Sequence, residues 1–529
     1  MKKKETILES KGDGSKSMKQ QIQNMGRKIF TPKTFCIFMI IAFLFFIIPL
    51  LYVGRYVHAV SDDYWFAFHV HCSWLNTHNL IDVFLTAVKK SAEFYVNWQG
   101  TYSSIFFMAL SPFAFGEQYA HVTPYIMIGM TCISTMILVH AMLRRWLRLN
   151  PYTCTSAMMA VCTMQCAFMY TPASGLYWWN SAVHYVFMQG FWSLMTGFAL
   201  LSFERMYHNR GRRVWRGMEM AVCTGAAFMA AGGNFSTALL TAETLALLGV
   251  FAIVLWRVQK KKCYLWFLIP FLTGEAGFLI NILAPGNAVR QSHFQKGSVL
   301  GAIGNSFSYS FTQMLSWVNL WVIVILILLL PVLLKAAADS KFSFRYPLLA
   351  TGLGYCLYAS MFTPGFYAFG AEPLSRNQNI CKMFLLLYLV LLETYWCGWL
   401  VHRMKSVKAI LPVYGKNIMK WTAVLSLTLL IGIAGFLKLD TVARQANFVN
   451  YGAWLISTDG RGERYWNEYL SRLALYKSDD SIVYVHPYSD HPYPIWINSD
   501  TETAGDQSGK LNSLVSGWYG KDAIYEILP

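Results

Sequence analysis

Long apolar runs alternate along this chain with short polar stretches of two kinds. A helix needs roughly 20 apolar residues to cross a bilayer, and eleven runs are read as such spans. They are Thr34 to Gly54, Ala120 to Met142, Thr153 to Pro172, His184 to Phe203, Met218 to Ala231 and Ser236 to Trp256. The others are Tyr264 to Leu283, Met314 to Leu334, Tyr346 to Phe362, Ile380 to Val401 and Trp421 to Leu439. The intervening stretches alternate in character. One set is basic: Arg144, Arg145 and Arg148; Arg205 to Arg216; Arg257 to Lys262; Lys335 to Arg345; Arg403 to Lys408. The other set is rich in Gly, Asn, Pro and aromatic residues: Tyr177-Trp178-Trp179-Asn180, Gly232-Gly233-Asn234, Pro285-Gly286-Asn287 and Thr363-Pro364-Gly365. Basic loops stay in the cytoplasm, so the pattern predicts an N-terminus inside and a segment 440–529 outside.

The first outside loop, residues 55–118, is long. Leu75 to Phe94 carries apolar residues at helical spacing and reads as an amphipathic helix on the membrane surface, with Lys89 and Lys90 toward lipid headgroups. Ser104 to Phe115 is apolar but short, and a crossing there would invert every later loop; it is expected to dip into the membrane or lie on it. After the last span, Glu463 to Tyr476 is helical in pattern and Ser481 to Val485 alternates as a strand does, which predicts a small α/β domain. The expected architecture is therefore an α-helical polytopic membrane protein: a disordered tail 1–33, a transmembrane domain 34–439 and an extracytoplasmic domain 440–529.

Composition agrees. Of 529 residues, 55% are hydrophobic and 13% charged, about half the charge of an average soluble domain. The net charge of +17 does not point to nucleic acid, because the basic residues sit in the short loops between spans. The eleven cysteines fall mostly inside apolar runs and show no zinc-like spacing with histidines. His486 and His491 read as loop histidines. No phosphate-binding glycine loop of nucleotide enzymes is present.

The candidate chemistry lies on the predicted outside face. Asp62 and Asp63 follow the first span directly, and a charged pair at a membrane edge is a functional candidate. Ser61 or Asp62 as the N-cap of a short helix Tyr64 to Val70 is the competing reading. Arg290 and Arg376 share that face, where orientation does not require positive charge. A carboxylate can take a proton from a hydroxyl, guanidinium groups can hold a leaving phosphate, and aromatic rings can carry a sugar. Asp62 or Asp63 thus stands as a base, or as a ligand of a divalent cation such as Mg²⁺ or Mn²⁺. Arg290 and Arg376 stand as phosphate ligands, with Tyr64, Trp98, Trp178, Trp179, Asn180, Asn234, Asn287 and Asn377 as substrate contacts.

Ser61-Asp62-Asp63-Tyr64, Trp98-Gln99-Gly100, Ala284-Pro285-Gly286-Asn287 with Arg290, Trp496-Ile497-Asn498 and Trp518-Tyr519-Gly520 carry a family likeness. In these motifs and in its span pattern the chain resembles the GT-C superfamily of integral-membrane glycosyltransferases, and especially bacterial relatives of the O-antigen and serotype-converting glucosyltransferases. The resemblance implies a first-loop aspartate as base and a polyprenyl-phosphate sugar as donor. It also implies an acceptor on a cell-surface glycan or glycolipid, and inversion at the anomeric carbon. One departure is Gly100-Thr101, where related enzymes often have Gly-Arg; it shifts the expected phosphate contact to Arg290 and Arg376. A transporter or flippase for a lipid-linked glycan, a non-catalytic assembly factor, and an O-antigen polymerase or ligase are the alternatives. The transporter would need paired charges buried mid-span and some internal repeat; mid-span charges are few (Glu243, Glu275, Glu393), and the halves show no repeat.

Overall fold

Thr31 opens the first helix with a capping box: its hydroxyl accepts the Thr34 N–H at 3.1 Å, and Pro32 occupies the first turn. The computed structural model describes residues 31–406, 448–502 and 510–527. The tail up to residue 30 and the eleventh expected span, Trp421 to Leu439, lie outside the described residues.

The chain forms α1 (Pro32–Tyr52), α2 (Asp62–Thr77), α3 (Leu80–Asn97), α4 (Tyr102–Ala109), α5 (Thr123–Val139) and α6 (Pro151–Ala167). Next come α7 (Trp179–Tyr207), α8 (Arg213–Ala231), α9 (Phe235–Gln259) and α10 (Leu268–Ile282). They are followed by α11 (Pro285–Gln291), α12 (Val299–Trp317), α13 (Leu320–Asp339), α14 (Pro347–Ser360), α15 (Thr363–Phe369) and α16 (Ser375–Ser406). The C-terminal segment holds α17 (Val449–Thr458), α18 (Arg461–Tyr476), β1 (Ile482–Val485), α19 (Lys510–Tyr519) and β2 (Ala523–Glu526). The strands pair in parallel, Ile482 opposite Ala523.

Seven helices among the described residues are long and apolar enough to cross a membrane: Pro32–Tyr56, Glu117–Trp146, Trp179–Tyr207, Phe235–Gln259, Lys262–Ile282, Leu320–Asp339 and Ser375–Arg403. Their outer faces are apolar. Ile37, Phe38, Ile41, Phe45 and Ile48 of α1 are all exposed, which suits hydrocarbon and not water. This is a helical membrane protein. The third, fifth and ninth expected spans coincide with α6, α8 and α14, helices of 17, 19 and 14 residues. The eighth starts later than expected. The chain breaks after Trp317, and the Asn319 side chain caps a new helix by accepting the Trp321 and Val322 N–H groups at 3.1 Å each. The amphipathic helix expected over Leu75 to Phe94 is in fact two helices, α2 and α3, parted by left-handed His78 and capped anew by Asn79.

The bundle has two ends. At one, Arg145 meets Glu204, Lys261 donates to the Met206 and Tyr207 carbonyls, and Ser340 donates to the Leu147 carbonyl. This basic end gathers the arginine- and lysine-rich turns. At the other, Asn234 donates to the His184 carbonyl, Asn287 accepts from Gly100, and Asn379 accepts from Thr171.

The C-terminal segment shares a hydrophobic core with the first loop: Tyr64, Ala67, Val70, Val83 and Phe113 pack with Val483, Val515, Trp518 and Ile524. In α18, Tyr465, Tyr469, Arg472 and Tyr476 are buried at helical spacing. The Arg472 guanidinium is sealed among partners. It donates to Asp500, to the Thr501 hydroxyl at 3.0 Å, to the His486 carbonyl and to Glu526 at 3.1 Å, and lies 4.0 Å from the Tyr488 ring centre.

Candidate functional site

Asp62 and Asp63 begin α2, and the structure gives them different surroundings. Ser61 has a positive φ of 54° and its side chain makes no capping bond. The helix starts at Asp62 and runs to Thr77, so the capping reading over Tyr64 to Val70 is corrected at both ends. Asp63 turns back into the protein. Its Oδ2 accepts the Val60 N–H at 3.1 Å and its Oδ1 the Asn180 N–H at 3.4 Å, which ties the start of α2 to the start of α7. Burial pushes its pKa up to about 7, against the two backbone donors that lower it; the neighbouring Asp62 charge is a smaller push upward.

Asp62 lines a cavity of about 590 Å³. Trp65, Trp98 and Trp178 give this cavity aromatic walls, and Arg290, Arg376 and Lys510 give it positive charge. Lys510, from the C-terminal segment, stands 3.9 Å from Asp62, and both are partly exposed. That pair is loose enough to exchange for a ligand. The Arg290 guanidinium donates to the Gln99 side chain and lies 6.0 Å from the Trp98 ring centre. Burial lowers its pKa somewhat, yet a guanidinium stays charged in proteins. Arg376 sits 4.9 Å over the Trp178 ring, a cation–π geometry. Neither arginine forms an ion pair among the described residues, since Asp62 is taken by Lys510.

A second cavity, of about 350 Å³, adjoins the first and shares Arg290, His184, Tyr185 and Leu374 with it. Its remaining walls include Phe235, Leu239, Phe278, Ile282, Phe294 and Phe369, with Asn234, Asn287 and Asn377 among the few polar groups.

The asparagines divide by task. Asn287 is fully occupied: its Oδ1 accepts the Gly100 N–H at 2.8 Å, and its Nδ2 donates to the Asn281 and Ile282 carbonyls at 2.7 and 3.1 Å. It clamps the turn at Trp98-Gln99-Gly100 to the start of α11. The clamp needs glycine on both sides. A Cβ on Gly100 would stand 1.9 Å from the Asn281 carbonyl oxygen, and one on Gly286 would stand 2.6 Å from the Trp98 nitrogen. Asn234 caps α9 and donates to the His184 carbonyl. Asn377 reaches Cys381 Sγ at 3.8 Å. Asn180 differs: it is buried on the cavity wall, and neither its Oδ1 nor its Nδ2 has a partner among the described residues. A buried amide without partners is costly, so a ligand that supplies both a donor and an acceptor satisfies it.

Nine of the twelve residues expected from the sequence thus line the two cavities: Asp62, Trp98, Trp178, Asn180, Arg290 and Arg376 the first, and Asn234, Asn287 and Asn377 the second, which Arg290 also borders. Asp63, Tyr64 and Trp179 do not. Tyr64 packs edge-on against Phe113, ring centres 5.1 Å apart, and against Trp518 at 5.7 Å. Trp179 donates its indole N–H to the Phe107 carbonyl at 2.9 Å. His184, Lys510 and Trp65 were not expected. His184 is oriented by Ser104, 2.8 Å from its Nδ1, and its place at the mouth of an apolar run is a signal the sequence did carry.

No protein-family model, curated protein or solved structure matches the chain. The site therefore has to be read from its own chemistry. Three cations and one carboxylate face the first cavity, which suits an anionic ligand with an ionisable neighbour. Among the described residues no three His, Cys, Asp or Glu side chains converge, and Asp63 is committed to backbone donors away from the cavity, so Asp62 is the carboxylate there that a divalent cation could take, beside a phosphate of the ligand.

Proposed function

We propose that the chain is a membrane glycosyltransferase that moves a sugar from a polyprenyl-phosphate donor to a glycan or glycolipid acceptor of the cell envelope, with inversion. One observation carries the reading. A chamber holding a carboxylate, two arginines and tryptophan walls opens into an apolar cavity, and Arg290 stands at their junction. A polyprenyl-phosphate sugar has this shape of chemistry: a phosphodiester anion between a sugar and an isoprenoid chain, which gains a second negative charge as the sugar departs.

In this reading the first isoprene units lie among Phe235, Leu239, Phe278 and Phe294. Arg290 and Arg376 hold the phosphate, and their charge offsets what builds up on it as the bond to the sugar breaks. Trp98 and Trp178 flank the sugar, and the Asn180 amide donates to and accepts from its hydroxyls. Asp62 takes the proton of the acceptor hydroxyl as that oxygen bonds to the anomeric carbon; the carbon–oxygen bond to phosphate breaks on the opposite side, and polyprenyl phosphate leaves. Asp62 rather than Asp63 is assigned the base because it faces the chamber, whereas Asp63 spends both oxygens on backbone N–H groups. The proposed setting is the outer face of the plasma membrane, with the N-terminus in the cytoplasm.

The transporter reading draws less support from the three span carboxylates. Glu243 bonds to Ser360 at 2.6 Å, and neither it nor Glu275 nor Glu393 forms an ion pair among the described residues.

The deciding measurement is sugar transfer by purified protein in liposomes, with a panel of polyprenyl-phosphate sugars and glycolipid acceptors. Asp62→Asn is expected to abolish transfer, with insertion and melting unchanged. Transfer by Asp62→Asn at the wild-type rate would sink the assignment.

A further inference from the structure

At the basic end, a cavity of about 220 Å³ is lined by Arg144, Arg145, Arg148, Arg210 and Glu204. Four guanidinium groups face one carboxylate, an excess of three positive charges. Helix ends account for part of this. Arg144 donates to the Leu149 carbonyl at 2.8 Å, in the turn that follows its own helix end. Arg145 is spent on Glu204, with bonds of 3.0 and 2.5 Å to one oxygen. Arg148 and Arg210 are not explained that way. Among the described residues, Arg148 meets only His208 Nε2, at 2.8 Å, and Arg210 only the far oxygen of Glu204, at 3.8 Å.

The backbone brings these two together. Arg148 has φ 56°, and Arg210 lies between Asn209 at φ 53° and Gly211 at φ 79°. Two tight reversals, one after α5 and one after α7, thus bring Arg148 and Arg210 to one opening. Each guanidinium has five N–H donors in a planar fork, a geometry that matches phosphate oxygens.

We infer that this cavity binds a phosphate anion, held by Arg144, Arg148 and Arg210 over the fixed Arg145–Glu204 pair. The phosphate of an anionic phospholipid headgroup and a soluble phosphate share this chemistry. Basic pockets between helix ends at a membrane surface are suited to the former.

The test is thermal melting of delipidated full-length protein in neutral detergent at fixed ionic strength. The probes are phosphatidylglycerol, inorganic phosphate and phosphatidylcholine, on wild type, on Arg148→Gln/Arg210→Gln and on Arg148→Lys/Arg210→Lys. Phosphatidylglycerol is expected to raise the wild-type midpoint by several degrees, with phosphatidylcholine giving no rise. The Gln pair is expected to lose the shift and the Lys pair to keep part of it. A rise with inorganic phosphate alone assigns the site to a soluble anion; a rise with the lipid alone assigns it to a headgroup. No selective rise with either phosphate probe, or an equal rise in the Gln pair, overturns the inference. The Lys pair keeps the test decisive if the Gln pair folds poorly, because loss of charge and loss of the fork then separate.

Discussion

Two of the mixed groups of arginine and carboxylate, the one around Arg472 and the one in the chamber, are built in opposite ways. In the C-terminal segment, Arg472 is buried against Asp500 and Glu526; Tyr476 donates to the other Asp500 oxygen, and Ser499 and Thr501 donate to the same Glu526 oxygen that Arg472 meets. Its charges answer each other inside the protein. In the chamber, Arg290 and Arg376 face open volume and aromatic rings, and the one carboxylate there is loosely met by Lys510. The lesson is that arginine with carboxylate is not a signature in itself. Charge satisfied within the fold is scaffold, and charge left over around a void points to a ligand.

The contrast can be broken in four ways. The largest effect is expected from Asp62→Asn: a loss of about 10²- to 10⁴-fold in transfer rate, the usual contribution of a positioned base, with an unchanged melting midpoint. Arg472→Met is expected to do the reverse. It strands two buried carboxylates, which costs about 3–5 kcal/mol, so limited proteolysis should cut the C-terminal segment at lower temperature. Any loss of transfer should then follow loss of that segment. Arg376→Gln leaves the fold intact and removes a charge-assisted contact of about 1.5–3 kcal/mol, read as roughly a 10- to 100-fold fall in kcat/KM for the lipid donor. If Arg376→Gln lowered stability more than Arg472→Met did, the distinction between scaffold and site would fail.

The smallest effect sharpens the same contrast within the aspartate pair. Asp63 has a folded pKa near 7, above its unfolded value. Between about pH 4 and 7 the unfolded chain has therefore lost a proton that the folded chain keeps. Its contribution is present in full below the unfolded pKa and is lost as pH rises through the folded one. Glu526 runs the other way. Burial pushes its pKa up, but bonds from Thr501 and Arg472 outweigh that and hold it low, so its contribution is lost on acidification. Asp63→Asn should flatten the fall in melting midpoint from pH 4 to 7 and leave the acid limb in place.

Much of this was legible in the residues. Apolar runs as long as Phe235 to Gln259 announce themselves, and the alternation of basic and glycine–asparagine turns sorted most of the chamber residues onto one end. Other features left no trace. Asp62 and Asp63 are neighbours in sequence, and only the turn of about 100° per residue on a helix sends one to the cavity and the other to the backbone of Val60 and Asn180. Lys510 reaches the chamber from the far end of the chain, and no local pattern encodes such a contact. The late start of α13 was missed because Leu315 and Val318 extend its apolar run, while the break is set by the Asn319 cap.

The glycine clamp has a consequence for how the protein is made. Gly100 and Asn287 are 187 residues apart, so when the first loop leaves the ribosome its partner has not been synthesised. Until the turn after α10 arrives, Trp98 and Gln99 have no arginine beside them, and Lys510 closes the last wall later still. Each nascent chain therefore passes through a long interval with half a chamber and no grip on an anion. On the proposed function, a lipid donor in the same membrane would meet a competent site only after nearly the whole polypeptide has been laid down.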